Sequence, residues 1–191
     1  MKGHYLFVIC FVLLSCENFA QNKEIWKEVV EERTTEHPES PPKIFLDIDF
    51  VGDINIYDLP NGEVVSTIRN NADEENFVLF DLLQKNDSMF YVAAYYSLDD
   101  DFIAKGWVFK CKHFVVYDRM YNPEKYPLIL YEKPNDTSRI ICKKMYYTIG
   151  AHEVIDFSGK WLKVKVIINR KMYEGWLSPE MQCCNVYSTC N

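Results

Sequence analysis

The residues in this chain that could do chemistry are few and scattered. Seven cysteines and four histidines stand among 191 residues with a formal net charge of −7. A nucleophilic thiol needs a base within hydrogen-bond reach and a third group to orient that base. Here that asks for Cys142 with His113 or His152, and no orienting group is evident beside either ring. His37 lies in a proline-rich stretch. No Gly-rich phosphate loop, His-Glu-x-x-His or Gly-x-Ser-x-Gly is present. Asp99-Asp100-Asp101 lacks the Asp-x-Asp-x-Asp-Gly frame of a calcium loop and reads as a solvated hairpin tip. The cysteines lack zinc-ribbon spacing and the histidines are remote from them. The expectation is a protein that is not an enzyme and carries no metal or cofactor. The negative balance, without a basic stripe, also argues against nucleic acid as a partner.

The thiols point instead to a compartment. Lys2 precedes an apolar run from Tyr5 to Leu14. That run is about half of the roughly 20 residues needed to span a bilayer, so residues 1–20 read as a signal peptide. Two cleavage readings stand. Leu13-Leu14-Ser15-Cys16 resembles a lipobox, in which Cys16 would be lipidated and tether the mature chain to a membrane. Asn18-Phe19-Ala20 offers an ordinary peptidase site, although Asn18 is larger than such sites prefer. Either way the chain is exported, to the cell envelope, the periplasm or the medium. Cys111, Cys142, Cys183, Cys184 and Cys190 then remain as disulfide candidates, an odd number. Cys190 with Cys183 or Cys184 would close a small loop, and Cys111 with Cys142 is the natural second bridge.

The elements that must position everything else are mostly strands. Ile25, Trp26, Val29 and Val30 fall near one helical face, so a short helix is expected within residues 21–42, followed by a proline-stiffened tether. From Lys43 onward, runs rich in Val, Ile, Phe and Tyr alternate with turn signals, predicting an all-β body. The first strand is expected to run through Ile44–Phe50. Pro60-Asn61-Gly62 sets a tight turn, Asn86-Asp87-Ser88 another, and Asn169-Arg170-Lys171 a hairpin tip.

The strand pattern is written twice. Ile54-Asn55-Ile56-Tyr57-Asp58-Leu59-Pro60-Asn61-Gly62 matches Leu128-Ile129-Leu130-Tyr131-Glu132-Lys133-Pro134-Asn135-Asp136, and Gly106-Trp107-Val108 matches Gly175-Trp176-Leu177. Trp161-Leu162-Lys163-Val164, a hairpin and Gly175-Trp176-Leu177 resemble the end of the bacterial Src-homology-3-like (SH3b-type) domain. Asn55-Ile56-Tyr57-Asp58-Leu59-Pro60 resembles that family's opening Asn-Val-Arg-x-x-Pro. The resemblance covers about residues 43–182. It departs from the family where Tyr57 and Tyr131 replace the usual Arg, and where Met89 or Phe90 stands in place of the strand Trp.

The resemblance implies two tandem small SH3-like β-barrels, in residues 43–111 and 112–191. It also implies a binding module for peptidoglycan, its peptides or protein segments in the envelope. Envelope protein–protein interaction, as an inhibitor or immunity factor, is the alternative. The glycine of each Gly-Trp permits a close approach of two backbones, and the Trp covers the open end of a barrel too small to bury itself. The tyrosine surplus suits a groove that is apolar below and wet above. Tyr57, Tyr95, Tyr96, Trp107, Tyr131, Tyr146, Tyr147 and Trp176 are therefore the candidate groove residues.

Overall fold

Strand-forming residues make strands almost wherever the chain is described. The computed structural model describes residues 40–70, 76–98, 100–119, 127–144 and 150–185. Ser40 aside, these belong to the compact unit Pro41–Asn191. The expected signal peptide, Cys16, the helix and nearly all of the tether lie outside the described residues, as do Tyr146, Tyr147 and Cys190.

Six strands form the first half: a lead strand β1 (Lys43–Leu46), a hairpin β2 (Ile54–Tyr57) and β3 (Val64–Ile68), then a meander β4 (Val78–Lys85), β5 (Met89–Tyr96) and β6 (Phe102–Phe109). Six more repeat that order: the lead strand β7 (Phe114–Asp118), the hairpin β8 (Leu128–Tyr131) and β9 (Ile140–Lys144), and the meander β10 (Ala151–Ser158), β11 (Trp161–Ile168) and β12 (Lys171–Leu177). A 3-10 turn, Pro179–Met181, leads into β13 (Gln182–Cys183). Among the described residues there is no α-helix.

All the strands belong to one open antiparallel sheet, in the order β3-β2-β6-β5-β4-β1-β7-β10-β11-β12-β8-β9. Read inward from either end the order is the same: hairpin, then the meander backwards, then the lead strand. The halves meet where β1 pairs with β7, Phe45 opposite Val115 and Leu46 opposite Phe114. β13 pairs with the far part of β7, Cys183 opposite Tyr117.

The duplication extends to the irregularities. β4 is bulged between Leu82 and Gln84 and β10 between Val154 and Asp156, at corresponding places in the two meanders. The hairpins are bulged between Ile56 and Tyr57 and between Leu130 and Tyr131. A bulge adds twist and re-aims the residues after it, so matched bulges bend both halves alike. Register also settles which residue of the first half stands at the place of Trp161. Tyr91 opposes Trp107 as Lys163 opposes Trp176, which makes Met89 the counterpart of Trp161.

The lead strand is shorter than its apolar alternation predicts. It stops at Leu46 because Asp47 opens a turn: its carbonyl accepts from the Phe50 amide at 2.9 Å and its side chain from the Asp49 amide at 3.2 Å. An Asp that bonds the backbone two residues on competes with strand pairing. The expected turns are present. Asn61 has φ 62°, and Asn169 and Arg170 have φ 50° and 64°, the two positive values of a type I′ hairpin.

The main core runs without a break through both halves, from Ile44, Phe80, Phe90 and Val92 to Phe114, Val154, Leu162 and Val164. Phe114 contacts Phe80 at 5.0 Å between ring centroids, and Phe90 meets Phe157 of the other half at 5.9 Å. A second cluster on the opposite face (Phe45, Phe77 and Val115) sits over the β1–β7 junction, where Phe45 stacks on its counterpart Tyr117 at 5.2 Å. The central strands are thus buried on both faces. One feature draws the free end of the first half back onto itself. Asn70, just after β3, donates to the Asp47 carbonyl at 2.8 Å and accepts from the Val78 amide at 3.1 Å.

Candidate functional site

Side chains directly opposite one another in antiparallel strands share a face. In the first half this places Tyr57, Trp107 and Tyr91 in one row across β2, β6 and β5. In the second it places Tyr131, Trp176, Lys163 and Asp156 in the matching row. Four of the candidate groove residues thus stand as two Tyr–Trp pairs, once per half, at equivalent positions. The glycine before each Trp makes this possible. A Cβ on Gly106 would lie 2.5 Å from both Ile56 Cγ2 and the Tyr57 carbonyl oxygen, and one on Gly175 would lie 3.0 Å from Leu130 Cβ.

The two rows are not identical. Trp107 is buried, with Tyr91 tilted against it at 5.3 Å, while Trp176 is only half-buried. Each tyrosine receives a ring edge from a different strand. Tyr57 meets Phe109 of β6 at 5.5 Å and 81°, and Tyr131 meets Trp161 of β11 at 5.6 Å and 84°. Met89, the counterpart of Trp161, pairs directly with Phe109, so the aromatic ring has changed strands while the edge contact is kept. Val64 and Ile140, each near its tyrosine on the edge strand of its half, are both about half exposed (49%). Burial raises the Tyr131 phenol above its ordinary value, and Glu180 and Asp136 add to the shift.

The other tyrosines lie elsewhere. Tyr95 is buried, and its hydroxyl sits between Lys43 and Asp81, donating to Asp81 Oδ1 at 2.9 Å and accepting from Lys43 Nζ. Lys43 and Asp81 also pair at 2.9 Å. Burial, with Asp81 behind it, pushes the Tyr95 phenol up to about 12 against the opposing pull of Lys43. Burial alone would lower Lys43, but its bonds to Tyr95 and Asp81 outweigh that and raise it. Tyr96 packs against the main core and reaches the Arg69 carbonyl at 3.5 Å. The described candidates thus form two matched pairs and two separate packing positions, not one continuous groove.

Sequence reasoning missed a cleft of about 480 Å³ where the halves meet, lined by Lys85, Asn86, Asp87, Lys110, Ile155, Asp156 and Lys163. Lys163 and Asp156 are the inner members of the second aromatic row, so that row runs from Tyr131 and Trp176 into the cleft. The lining comes from the end of β4, the β4–β5 turn, the residue after β6, the β10 bulge and β11, and no local signal announces that these segments meet.

A second surprise is buried. His152 Nε2 lies 2.6 Å from Asp118 Oδ2, with side chains 8% and 3% exposed. Register makes these the counterparts of Phe80 and Leu46, apolar core residues of the first half. Lys144, also buried, corresponds to Ile68. The second half has thus taken polar groups into positions that are apolar in the first.

The cysteines require a correction. Cys111, Cys142 and Cys184 are free thiols, so the expected Cys111–Cys142 bridge is not formed. Cys111 lies beside the lead strands at the middle of the sheet, and Cys142 is on β9 at its end. Cys183 is not a free thiol. Cys184 donates to the Lys43 carbonyl at 2.9 Å, and burial pushes its thiol up to about 12, which leaves it a poor nucleophile. Among the described residues no group of three or more His, Cys, Asp or Glu is placed to hold a metal ion. No helix among them is long and apolar enough to cross a membrane.

No protein-family model matches the chain, and no curated protein matches it.

Proposed function

We infer that this is an exported, non-catalytic binding protein of the cell envelope. In this reading two copies of a Src-homology-3-like unit each present a Tyr–Trp pair to peptidoglycan or a peptide. The observation that carries it is the equivalence of Tyr57–Trp107 and Tyr131–Trp176, each pair built on a glycine close approach and each tyrosine held edge-on by another ring. Aromatic side chains beside an exposed edge strand suit extended peptides, which lie along such surfaces with alternate side chains in pockets. The tie that Asn70 makes from the end of β3 back to β1 and β4 supports a barrel-like closure of the first copy. In this reading Cys16 carries the lipid anchor and Cys183 bridges to Cys190, leaving the three free thiols unpaired.

Retention on purified peptidoglycan tests the reading. The protein is expected to be retained, and Tyr131→Ala to be retained less than Tyr57→Ala because the Trp beside Tyr131 is the more exposed. Retention unchanged in the Tyr57→Ala/Tyr131→Ala double variant, or absent in the intact protein, would overturn it.

A further inference from the structure

Four of the five most exposed large apolar side chains among the described residues stand at two hairpin tips. Leu98 (62%) and Phe102 (67%) flank the β5–β6 turn, and Ile167 (73%) and Met172 (63%) flank the β11–β12 turn. The tips are counterparts in the duplicated fold. Tyr91 opposes Trp107 as Lys163 opposes Trp176, and three residues further on Ala94 opposes Ala104 as Val166 opposes Tyr173. Ile167 and Met172 are themselves cross-strand partners, so they share a face as an apolar pair. Exposed hydrophobics scattered singly are ordinary. Here they come in twos at equivalent places, and none of the four belongs to either core cluster.

The charges at the tips are opposite. Asp100 and Asp101 are exposed at the first, Arg170 and Lys171 at the second. None of the four forms an ion pair among the described residues. Each tip is also held in shape. In the first, the Tyr96 amide donates to the Asp101 carbonyl at 3.0 Å, the Ser97 amide to the Phe77 carbonyl at 3.0 Å and the Leu98 amide to Asn76 Oδ1 at 3.2 Å. In the second, Ile168 pairs with Lys171 across the type I′ turn, and Lys171 Nζ stands 4.9 Å from the Tyr173 ring centroid. Pre-formed tips lose little conformational freedom on docking.

We propose that the acidic, apolar tip of one molecule docks on the basic, apolar tip of a second copy of this chain. Asp100 and Asp101 then face Arg170 and Lys171, with Leu98 and Phe102 against Ile167 and Met172. Charge decides the occupant. A second copy supplies the complement of both tips at once, whereas an anionic membrane fits the basic tip and repels the acidic one. All four apolar side chains are exposed, so the tips do not meet within one molecule. The two surfaces differ, so the contact is heterologous: it closes into a dimer or ring, or runs on as a chain. Four residues a side are far fewer than the roughly 20–30 of a stable complex, so the association is weak and salt-sensitive. The contact does not depend on the Tyr–Trp pairs, on peptidoglycan or on export.

The test is sedimentation velocity over a concentration series, with Cys16→Ser in every sample so that no lipid drives association. At low salt the sedimentation coefficient of this parent protein is expected to rise with concentration, and at high salt to stay at the monomer value. Asp100→Lys/Asp101→Lys makes both tips basic, and Arg170→Glu/Lys171→Glu makes both acidic. Each variant alone should self-associate at least about tenfold more weakly, as like charges then face each other. An equimolar mixture of the two should associate again, because each carries the complement of the other. Arg170, at φ 64°, shows that such a tip accepts a long side chain at positive φ, which Asp100→Lys requires at φ 52°. A circular-dichroism melt of each variant confirms the fold. A parent protein that stays monomeric, variants that associate as well as the parent, or a mixture that does not regain association would each overturn the proposal. So would capture by anionic vesicles without self-association.

Discussion

Adding one methyl group at Gly106 should cost the protein more than adding it at Gly175, although the two glycines are counterparts. The Gly106 Cβ would meet the Tyr57 carbonyl oxygen and Ile56 Cγ2 at 2.5 Å, far inside the 3.4 Å at which ordinary contact begins. The oxygen is backbone, so no side-chain rotation relieves it; β2 must move away from β6 and loosen the Tyr57–Trp107 pairing. At Gly175 the nearest atoms are Leu130 Cβ at 3.0 Å, the Tyr131 carbonyl oxygen at 3.1 Å and the flexible Ile141 Cδ1 at 3.2 Å, and small shifts suffice. Neither glycine has a positive φ, so the penalty is steric alone. Overpacking costs about 1–3 kcal/mol, and the stiffer unfolded chain returns about 0.4–1 kcal/mol. Gly106→Ala, at the upper end, should lose about 2 kcal/mol or more, and Gly175→Ala close to nothing. For a chain of this size that is a fall in Tm of about 4–8 °C against less than about 2 °C. Urea unfolding and thermal melts followed by circular dichroism read both. A Gly175→Ala loss equal to or larger than that of Gly106→Ala would refute the close-approach argument.

Two further predictions concern titratable groups. Tyr95 has its folded-state pKa raised to about 12, so the stability it contributes is fully present below the unfolded value near 10 and is lost as pH rises through about 12. An alkaline titration read by phenolate absorbance should show a late step that Tyr95→Phe removes; an unchanged upper limb would count against the Lys43–Tyr95–Asp81 arrangement. Asp118→Leu alone should destabilise by about 1–3 kcal/mol because it takes the partner at 2.6 Å from a buried ring nitrogen, whereas Asp118→Leu with His152→Phe, the residues found at the first half's Leu46 and Phe80, should recover most of that loss. Additive losses in the urea midpoints would mean that the pair does not act as a unit.

How much of this was legible in the sequence depended on the range of the signal. The opening motif around Tyr57 and Tyr131 could be read because alternation, a turn and a Gly-Trp fall within short windows, and short-range sterics give the same local answer twice. For the same reason the turns at Asn61 and Asn169 were readable in advance. The lead strand was overread because alternation in Ile44–Phe50 carried no sign that the Asp47 side chain would accept from the Asp49 amide. The Cys111–Cys142 bridge failed because an even pairing of cysteines ignores where strand order puts them. The Asp118–His152 pair was hidden because alternation marks positions as inward without saying which inward positions face each other.

The sequence by itself determined an all-β body from Lys43 onward, written twice, with a tyrosine, a glycine and a tryptophan at matching places in each copy. Only the tertiary structure decided that the lead strands β1 and β7 join the copies into one sheet with one continuous core. It alone decided that Trp107 is buried while Trp176 stays half-open, and that Lys85, Asp87, Lys110, Asp156 and Lys163 share a cleft. Those residues come from segments far apart in the chain. What brings them together is strand order and two bulges, which are fixed by long-range pairing.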